Sequence, residues 1–284
     1  MQYTMFGTTG IKISRVAYGG IVSRNEEQPD SDRYVSYAVD KGVNYFDVGP
    51  SYGNAEQKLG ESLRPYRKKV ALACKTDGKT AQALRKDLEQ SLKTLHTDYF
   101  DVYQFHSLAK MEDLDQIFAP GGAIHALDQA KQEGLTRFTG FSAHNEEVAL
   151  RALEWYDFDM VLFPVNFALG LGKGMGERLS KVCWEREKGF LGMKSLAHRL
   201  WLPEEERVYP KSWCKTIYDN DRLALAAMKY SLSMGVDALV PPGNFDQFSF
   251  AVEQIDECVL HPLEEEDLAY LREETAAIGD KFIF

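Results

Sequence analysis

The chain has 284 residues, 44% of them hydrophobic and 27% charged, which is ordinary for a globular protein and excludes disordered, collagen-like and disulfide-scaffold classes. Its 33 Lys+Arg stand against 43 Asp+Glu for a formal net charge of −10, and the longest basic cluster is the short run Arg64 to Lys69. A nucleic-acid surface needs a basic patch or stripe, so no nucleic-acid partner is expected, although a local pocket for one small anion stays open.

The four cysteines (Cys74, Cys183, Cys214, Cys258) form no Cys-x-x-Cys or Cys/His cluster. Free thiols in a reducing compartment are therefore expected, with no zinc or other metal. The first residues carry neither the basic region nor the apolar run of a signal peptide, and no long apolar stretch occurs. A cytoplasmic protein without a membrane segment is the expectation.

In chain order, Tyr3–Phe6 and Ile11–Ser14 flank Gly7-Thr-Thr-Gly10, which predicts an N-terminal hairpin capping the bottom of the fold. Strands are predicted at Val16–Gly19, Tyr45–Asp47, Val70–Lys75 and Phe100–His106. Four more follow at Phe138–Ser142, Met160–Asn166, Phe190–Lys194 and Ala238–Val240. Between them run helical patterns at Asp32–Lys41, Ala81–Leu95, Ile124–Gln132, Glu146–Glu154, Gly176–Glu187 and Arg222–Ser233, with a last helix at Leu263–Ala277. Ala81, Leu84, Leu88, Leu92 and Leu95, three and four apart, mark one buried helical face. The strand ends recur at intervals near the roughly 30 residues of one β-α unit, so the fold class is α/β, a (β/α)₈ TIM barrel. No linker divides residues 1–284, and one barrel domain is expected.

In such barrels the active site lies at the carboxyl ends of the strands. The residues expected there are polar: Asp47, Lys75, His106, Ser142, Asn166 and Lys194. Burying so many polar groups is costly unless they pair or meet a ligand. Period 2 along the third strand puts Ala71, Ala73 and Lys75 on one face, which aims an ammonium into the barrel mouth.

The run Asp47-x₄-Tyr52-Gly-x₂-Glu56-x₂-Leu59-Gly60, followed by strand-end Lys75 and His106, resembles the signature of the aldo-keto reductase superfamily, over nearly the whole chain. The resemblance implies that Tyr52, Lys75, Asp47 and His106 are a catalytic tetrad. It further implies a nicotinamide cofactor, NADP with NAD open, and a small-molecule carbonyl or sugar substrate. Carbonyl reduction needs a hydride, which no side chain supplies, and a proton for the developing alkoxide. A free tyrosine is a weak acid at neutral pH, and Lys75⁺ beside Tyr52 is expected to lower its pKa. Asp47 would hold Lys75 charged, and His106 would donate to the carbonyl oxygen.

Cofactor contacts implied by the resemblance are Gly19, Gly20, Ile21 and Asp47 near the nicotinamide, Ser142 and Asn166 at its carboxamide, and Lys194, Ser195 and Leu196 after the seventh strand. Gly243, Asn244, Asp246 and Gln247 would receive the adenosine at a helix N-terminus. The segment after Gly243 lacks the Arg that commonly clasps a 2′-phosphate, and Asp246 would repel one, which keeps NAD open. Lys194 replaces the residue common over the nicotinamide, and either a substrate anion or the pyrophosphate is a target for it. His144 stands where a small or aromatic residue is frequent. Ala197–Asp221, with Trp201, Tyr209, Trp213 and Tyr218, is read either as a lid over the site or as an extra packed segment. The competing functions are a cofactor-binding regulatory barrel without turnover and a Schiff-base lyase acting through Lys75.

Overall fold

The computed structural model describes residues 1–284. The chain opens with the hairpin β1 (Tyr3–Met5) and β2 (Lys12–Ser14), paired antiparallel from Tyr3 opposite Ser14 to Met5 opposite Lys12. The barrel strands are β3 (Tyr18–Gly19), β4 (Tyr45–Asp47), β5 (Ala71–Thr76), β6 (Phe100–Leu108), β7 (Thr136–Ala143), β8 (Met160–Pro164), β9 (Gly189–Met193) and, after two strands of a side hairpin, β12 (Ala238–Val240). All eight pair in parallel with their sequence neighbours, from β3 through to β12. The ring closes where Ala17 N–H donates to Leu239 O at 2.8 Å and Leu239 N–H to Arg15 O at 2.9 Å. The fold is thus a (β/α)₈ TIM barrel.

The helices are α1 (Gln28–Asp40), α2 (Ala55–Leu63), α3 (Ala81–Thr94), α4 (Met111–Phe118), α5 (Ala123–Gln132), α6 (Glu146–Trp155), α7 (Phe167–Lys173), α8 (Glu177–Glu185), α9 (Asp221–Ser233), α10 (Phe245–Leu260) and α11 (Glu265–Ile278). Their apolar stripes cover the outer faces of the strands; Leu84 and Leu88 of α3, both fully buried, belong to this layer. The inward faces form a second, separate core that includes Ala71, Ala73, Val102, Met160 and Leu191. Leu72 and Cys74, the alternate residues of β5, lie in the outer layer, so the period-2 reading of this strand holds. No helix is long and apolar enough to cross a membrane.

Phe6, just after β1, plugs the end of the barrel opposite the strand carboxyl termini. It is fully buried, its ring centroid 5.3 Å from that of Tyr45. Gly189 makes room for it, since a Cβ there would meet Phe6 Cε2 at 2.5 Å. The hairpin therefore caps the barrel bottom as its sequence implied.

The segment after β9 forms the side hairpin β10 (Ala197–Arg199) and β11 (Lys215–Thr216), a strap across the barrel mouth. Arg199 grips Glu205 with two bonds of 2.7 and 2.6 Å, and Lys215 Nζ donates to the same carboxylate at 2.8 Å. The far end is anchored on the first βα loop: Lys211 pairs with Glu26 and donates to Val22 O at 2.8 Å, while Arg24 Nη2 donates to Lys211 O at 3.3 Å.

Candidate functional site

Lys75 leaves β5 pointing into the barrel, completely buried and ion-paired with Asp47, the last residue of β4. Gln104 of β6 donates to the other carboxylate oxygen of Asp47 at 2.7 Å. Burial alone would lower the Lys75 pKa, but the Asp47 charge and hydrogen bond outweigh it and hold the ammonium above the ordinary lysine range. A buried charge persists only when paired in this way.

The loop after β4 turns back so that Tyr52 lies over this pair, with Lys75 Nζ 5.0 Å from its ring centroid. Tyr52 Oη faces His106 Nε2 at 3.5 Å, and the two rings meet edge-on at 5.4 Å. The other ring nitrogen of His106, Nδ1, lies 2.7 Å from Asp77 Oδ1 and 3.1 Å from Ser51 Oγ. Burial pushes the Tyr52 pKa up, and the opposing Lys75 charge only partly offsets it, so the net direction is upward. This corrects the expectation that Lys75 brings Tyr52 down: the dehydration of the phenolate is the larger effect here.

These groups open onto a cavity of about 350 Å³ at the strand carboxyl ends. Of the residues implied by the sequence, Gly19, Ile21, Asp47, Tyr52, His106, Ser142, Lys194 and Gly243 line it. The structure brings these eight together from six different strand ends. Lys75 stands just behind, screened by Asp47 and Tyr52. Ser142 Oγ accepts from Ser107 N–H at 2.7 Å.

Other implied residues lie elsewhere. Asn166 is 1% exposed and caps α7, its Oδ1 accepting from Ala168 and Leu169 N–H and its Nδ2 donating to Lys194 O and Ala197 O. Its bonding capacity is used up in shaping the turn after β9. Gly20 packs against Val48, where a Cβ would meet Cγ2 at 2.5 Å. Ser195 is buried with its hydroxyl unpartnered. Asn244 and Gln247 are held under the strap, Asn244 donating to Ser212 Oγ at 3.2 Å and Gln247 to Ile217 O at 2.9 Å. Leu196, Asp246 and Gln247 line a second, smaller cavity of about 110 Å³ with Tyr209, Tyr218 and Asp221. No lysine or arginine borders it.

Three functional neighbours escaped the sequence reading. Gln104 shares the inward face of β6 with Val102 and His106 by simple alternation, so the signal was present. Asp77, two residues beyond Lys75, and Ser51 lie in loops whose path no periodicity foretells. The strap contributes Lys211 to Cys214 and Thr216 to the cavity wall, with Lys194 Nζ 4.9 Å from the Trp213 ring centroid. His144 lines the wall too; burial first, then the Lys194 and His106 charges, push its pKa down to about 4. No group of three or more His, Cys, Asp and Glu side chains is arranged to hold a metal ion.

The residues present fit a nicotinamide. The cavity has Gly19 and Gly243 in its wall and an apolar side of Ile21, Val240 and Pro241, and it faces a tyrosine hydroxyl backed by an ammonium. Its volume is within the range of small-ligand sites.

Comparison with known proteins gives the same frame. A 125-residue stretch is 35% identical to aldo-keto reductase YhdN of Bacillus subtilis, covering 37% of this chain and 38% of that protein. An L-galactose dehydrogenase of Arabidopsis thaliana is 34% identical over 157 residues, 50% of this chain and 48% of its own. The matched region thus spans about half the length, or less, of these curated relatives. A holo-form aldo-keto reductase from Bacillus halodurans shares the fold with a TM-score of 0.73 at 20% identity, covering 100% of this chain and 98% of that one. The model of the aldo/keto reductase family matches residues 6–235, most of the barrel, and the chain belongs to that family.

Proposed function

We propose that this protein is a nicotinamide-dependent oxidoreductase that interconverts a small carbonyl compound and its alcohol, with Tyr52 as general acid and base. The observation that carries the reading is the Asp47–Lys75 ion pair buried beneath Tyr52, with His106 Nε2 3.5 Å from the Tyr52 hydroxyl. Gly19, Ile21, Ser142, Val240 and Gly243 would hold the nicotinamide half of the cofactor. A bound nicotinamide supplies the hydride that carbonyl reduction needs.

The chain's own residues handle the proton. A carbonyl oxygen between Tyr52 Oη and His106 Nε2 receives two hydrogen bonds, which strengthen as negative charge develops. Tyr52 transfers its proton to the forming alkoxide. The phenolate left behind is stabilised by the Lys75 ammonium, which Asp47 keeps charged. In the alcohol-to-carbonyl direction Tyr52 runs the same step backward as base.

A Schiff-base reading of Lys75 is disfavoured by the same geometry, since an amine nucleophile must be neutral and accessible. Lys75 is fully buried, paired and held protonated. The second cavity, bordered by Asp221 and Asp246 and by no cation, favours NAD over NADP at the adenosine ribose.

Titration of the protein with NADH and with NADPH, followed by tryptophan fluorescence, is expected to give saturable binding, with Trp213 on the cavity wall as reporter. Tyr52→Phe should retain that binding and lose carbonyl reduction by at least about a hundredfold, within the range for a general acid. Failure of both dinucleotides to bind, or full activity of Tyr52→Phe, overturns the reading.

A further inference from the structure

The charges around the main cavity are unbalanced. Its one carboxylate, Asp47, is committed to Lys75, whereas Arg24, Lys194 and Lys211 all reach its wall. Lys211 is neutralised by Glu26. Arg24 has no carboxylate but donates to Lys211 O at 3.3 Å in the strap anchor, whereas Lys194 has neither a carboxylate nor a hydrogen-bond partner for its ammonium, and its neighbours are the Trp213 ring and Cys214. In a chain of net charge −10, a cation placed here without a counter-charge is a selective placement, because dehydrating an unpaired ammonium is costly.

The backbone is built to aim this side chain. Lys194 has φ +70°, a left-handed conformation that strains a non-glycine residue. It is kept there by Asn166 Nδ2, which donates to Lys194 O at 3.0 Å, and by Ala197 N–H, which donates to the same oxygen at 2.9 Å. The fully used amide of Asn166 therefore serves the Lys194 turn. Beside it His144 faces the same cavity, its Nδ1 3.2 Å from Ser107 Oγ and its Nε2 without a protein partner. The His144 ring lines the same cavity as Lys194, Tyr52 and His106 and is influenced by the charges of both Lys194 and His106.

We infer that Lys194 and His144 form an anion subsite for the substrate, so that the protein acts on a carbonyl or alcohol bearing a carboxylate or phosphate group. This rests on the oxidoreductase reading above. The anion docks on Lys194 and the His144 imidazole, and the reacting carbon is thereby turned toward Tyr52 and His106. Trp213 of the strap packs against Lys194, its ring centroid 4.9 Å from Nζ, and the reduced contact of the ammonium with water strengthens the attraction.

The test uses matched aldehydes: butanal against succinic semialdehyde for the carboxylate, and glyceraldehyde against glyceraldehyde 3-phosphate for the phosphate. The anionic member of at least one pair is expected to have the higher kcat/KM by on the order of 10- to 100-fold, mostly through KM. Which pair discriminates identifies the anion. Lys194→Met should collapse that ratio toward one, and Lys194→Arg should restore part of it. Dissociation constants for NADH and NADPH are measured on the same variants. Equal losses for neutral and anionic substrates, or a loss confined to dinucleotide binding, overturn the subsite and assign Lys194 to the turn or to the cofactor. If no carbonyl is turned over, the oxidoreductase reading fails on its own. Binding of succinate and inorganic phosphate, read from tryptophan fluorescence of the wild type and of Lys194→Met, then decides the subsite: saturation lost in the variant supports it, and no saturation overturns it.

Discussion

Asp77 Oδ1 lies 2.7 Å from His106 Nδ1, on the side of the ring away from Tyr52. A carboxylate in that position accepts the Nδ1 proton and orients the ring with Nε2 toward the Tyr52 hydroxyl, and Nε2 donates to a carbonyl oxygen when the ring carries both protons. It also stabilises an imidazolium when His106 takes up a proton. The same hydrogen bond holds the Asp77 carboxyl below the usual carboxylate range, against the opposing effect of partial burial. Asp77 is thus a positioning residue acting through His106.

Asp77→Asn is expected to lower kcat for carbonyl reduction by roughly tenfold, toward the low end of acid–base effects, and to leave dinucleotide affinity unchanged. The amide can still accept from Nδ1–H, so ring orientation survives while support for the charged ring is lost. The discriminating measurement sets kcat against binding: kcat should fall in Asp77→Asn while the dissociation constants of NADH and NADPH stay as in the wild type. An unchanged kcat would make Asp77 a surface partner only.

The upward shift of Tyr52 sets the pH dependence in each direction of reaction. A raised pKa keeps the phenol protonated through neutrality, so reduction should be level near pH 7 and decline only above the ordinary tyrosine range. Alcohol oxidation needs the phenolate and should climb with pH over the same interval. The Lys75→Met, Asp47→Asn double variant removes the ion pair without stranding a buried charge. It should push the oxidation limb further up, because the ammonium that favours phenolate is gone. Steady-state rates in both directions from about pH 6 to 11 check this, and a limb that moves down refutes it.

Strand alternation and strand-end spacing made the barrel legible, because the strands recur at the length of one β-α unit and each turns every second residue inward. Ala71, Ala73 and Lys75 follow that rule, and so does Gln104, which the same alternation would have found. The strap was illegible for a different reason. Residues 197–221 carry little regular structure, and their course is fixed by ion pairs of Arg199 with Glu205 and Lys211 with Glu26, the latter long-range. Short α4 and α7 were missed too; Asn166, implied as a cofactor contact, is the residue that caps α7. The Tyr52 shift depends on burial, which a list of charged neighbours does not reveal.

The acidic border of the second cavity bears on cofactor choice. Asp246 opens α10 and adds to the upward push on the Tyr209 pKa, after burial, so its charge reaches the cavity. With the adenosine of the proposed cofactor in this cavity, a 2′-phosphate on its ribose would meet Asp246 and Asp221 with no cation at hand. NADH is therefore expected to bind more tightly than NADPH by roughly tenfold, the scale of one unfavourable charge pair near the surface. Asp246→Ser should narrow the gap. Fluorescence titrations at two salt concentrations check it, since screening weakens the discrimination if charge is its source. Tighter NADPH binding in the wild type would place the adenosine elsewhere.

Two histidines give the fold an acid-sensitive range that can be calculated in sign. Burial, the largest cause for each, pushes His144 and His198 down to about 4. His198 Nε2 has no hydrogen-bond partner, and Glu274 Oε2 is 3.8 Å away. The unfolded chain titrates these rings near the ordinary value of about 6.5, whereas the folded protein keeps them neutral to about pH 4. Above pH 7 both states are neutral and the rings contribute no pH dependence. Between about 6.5 and 4 the unfolded state binds protons that the native state refuses, and stability falls by up to roughly 3 kcal/mol per ring. Urea unfolding at pH 7.5, 5.5 and 4.5 should show that loss, and His198→Gln should remove about half of the part due to the rings. Succinate or phosphate at the Lys194 subsite should favour a charged His144 and recover part of the rest, in His198→Gln as in the wild type. A loss on acidification that neither the substitution nor the anions reduce would assign the acid sensitivity to carboxylates instead.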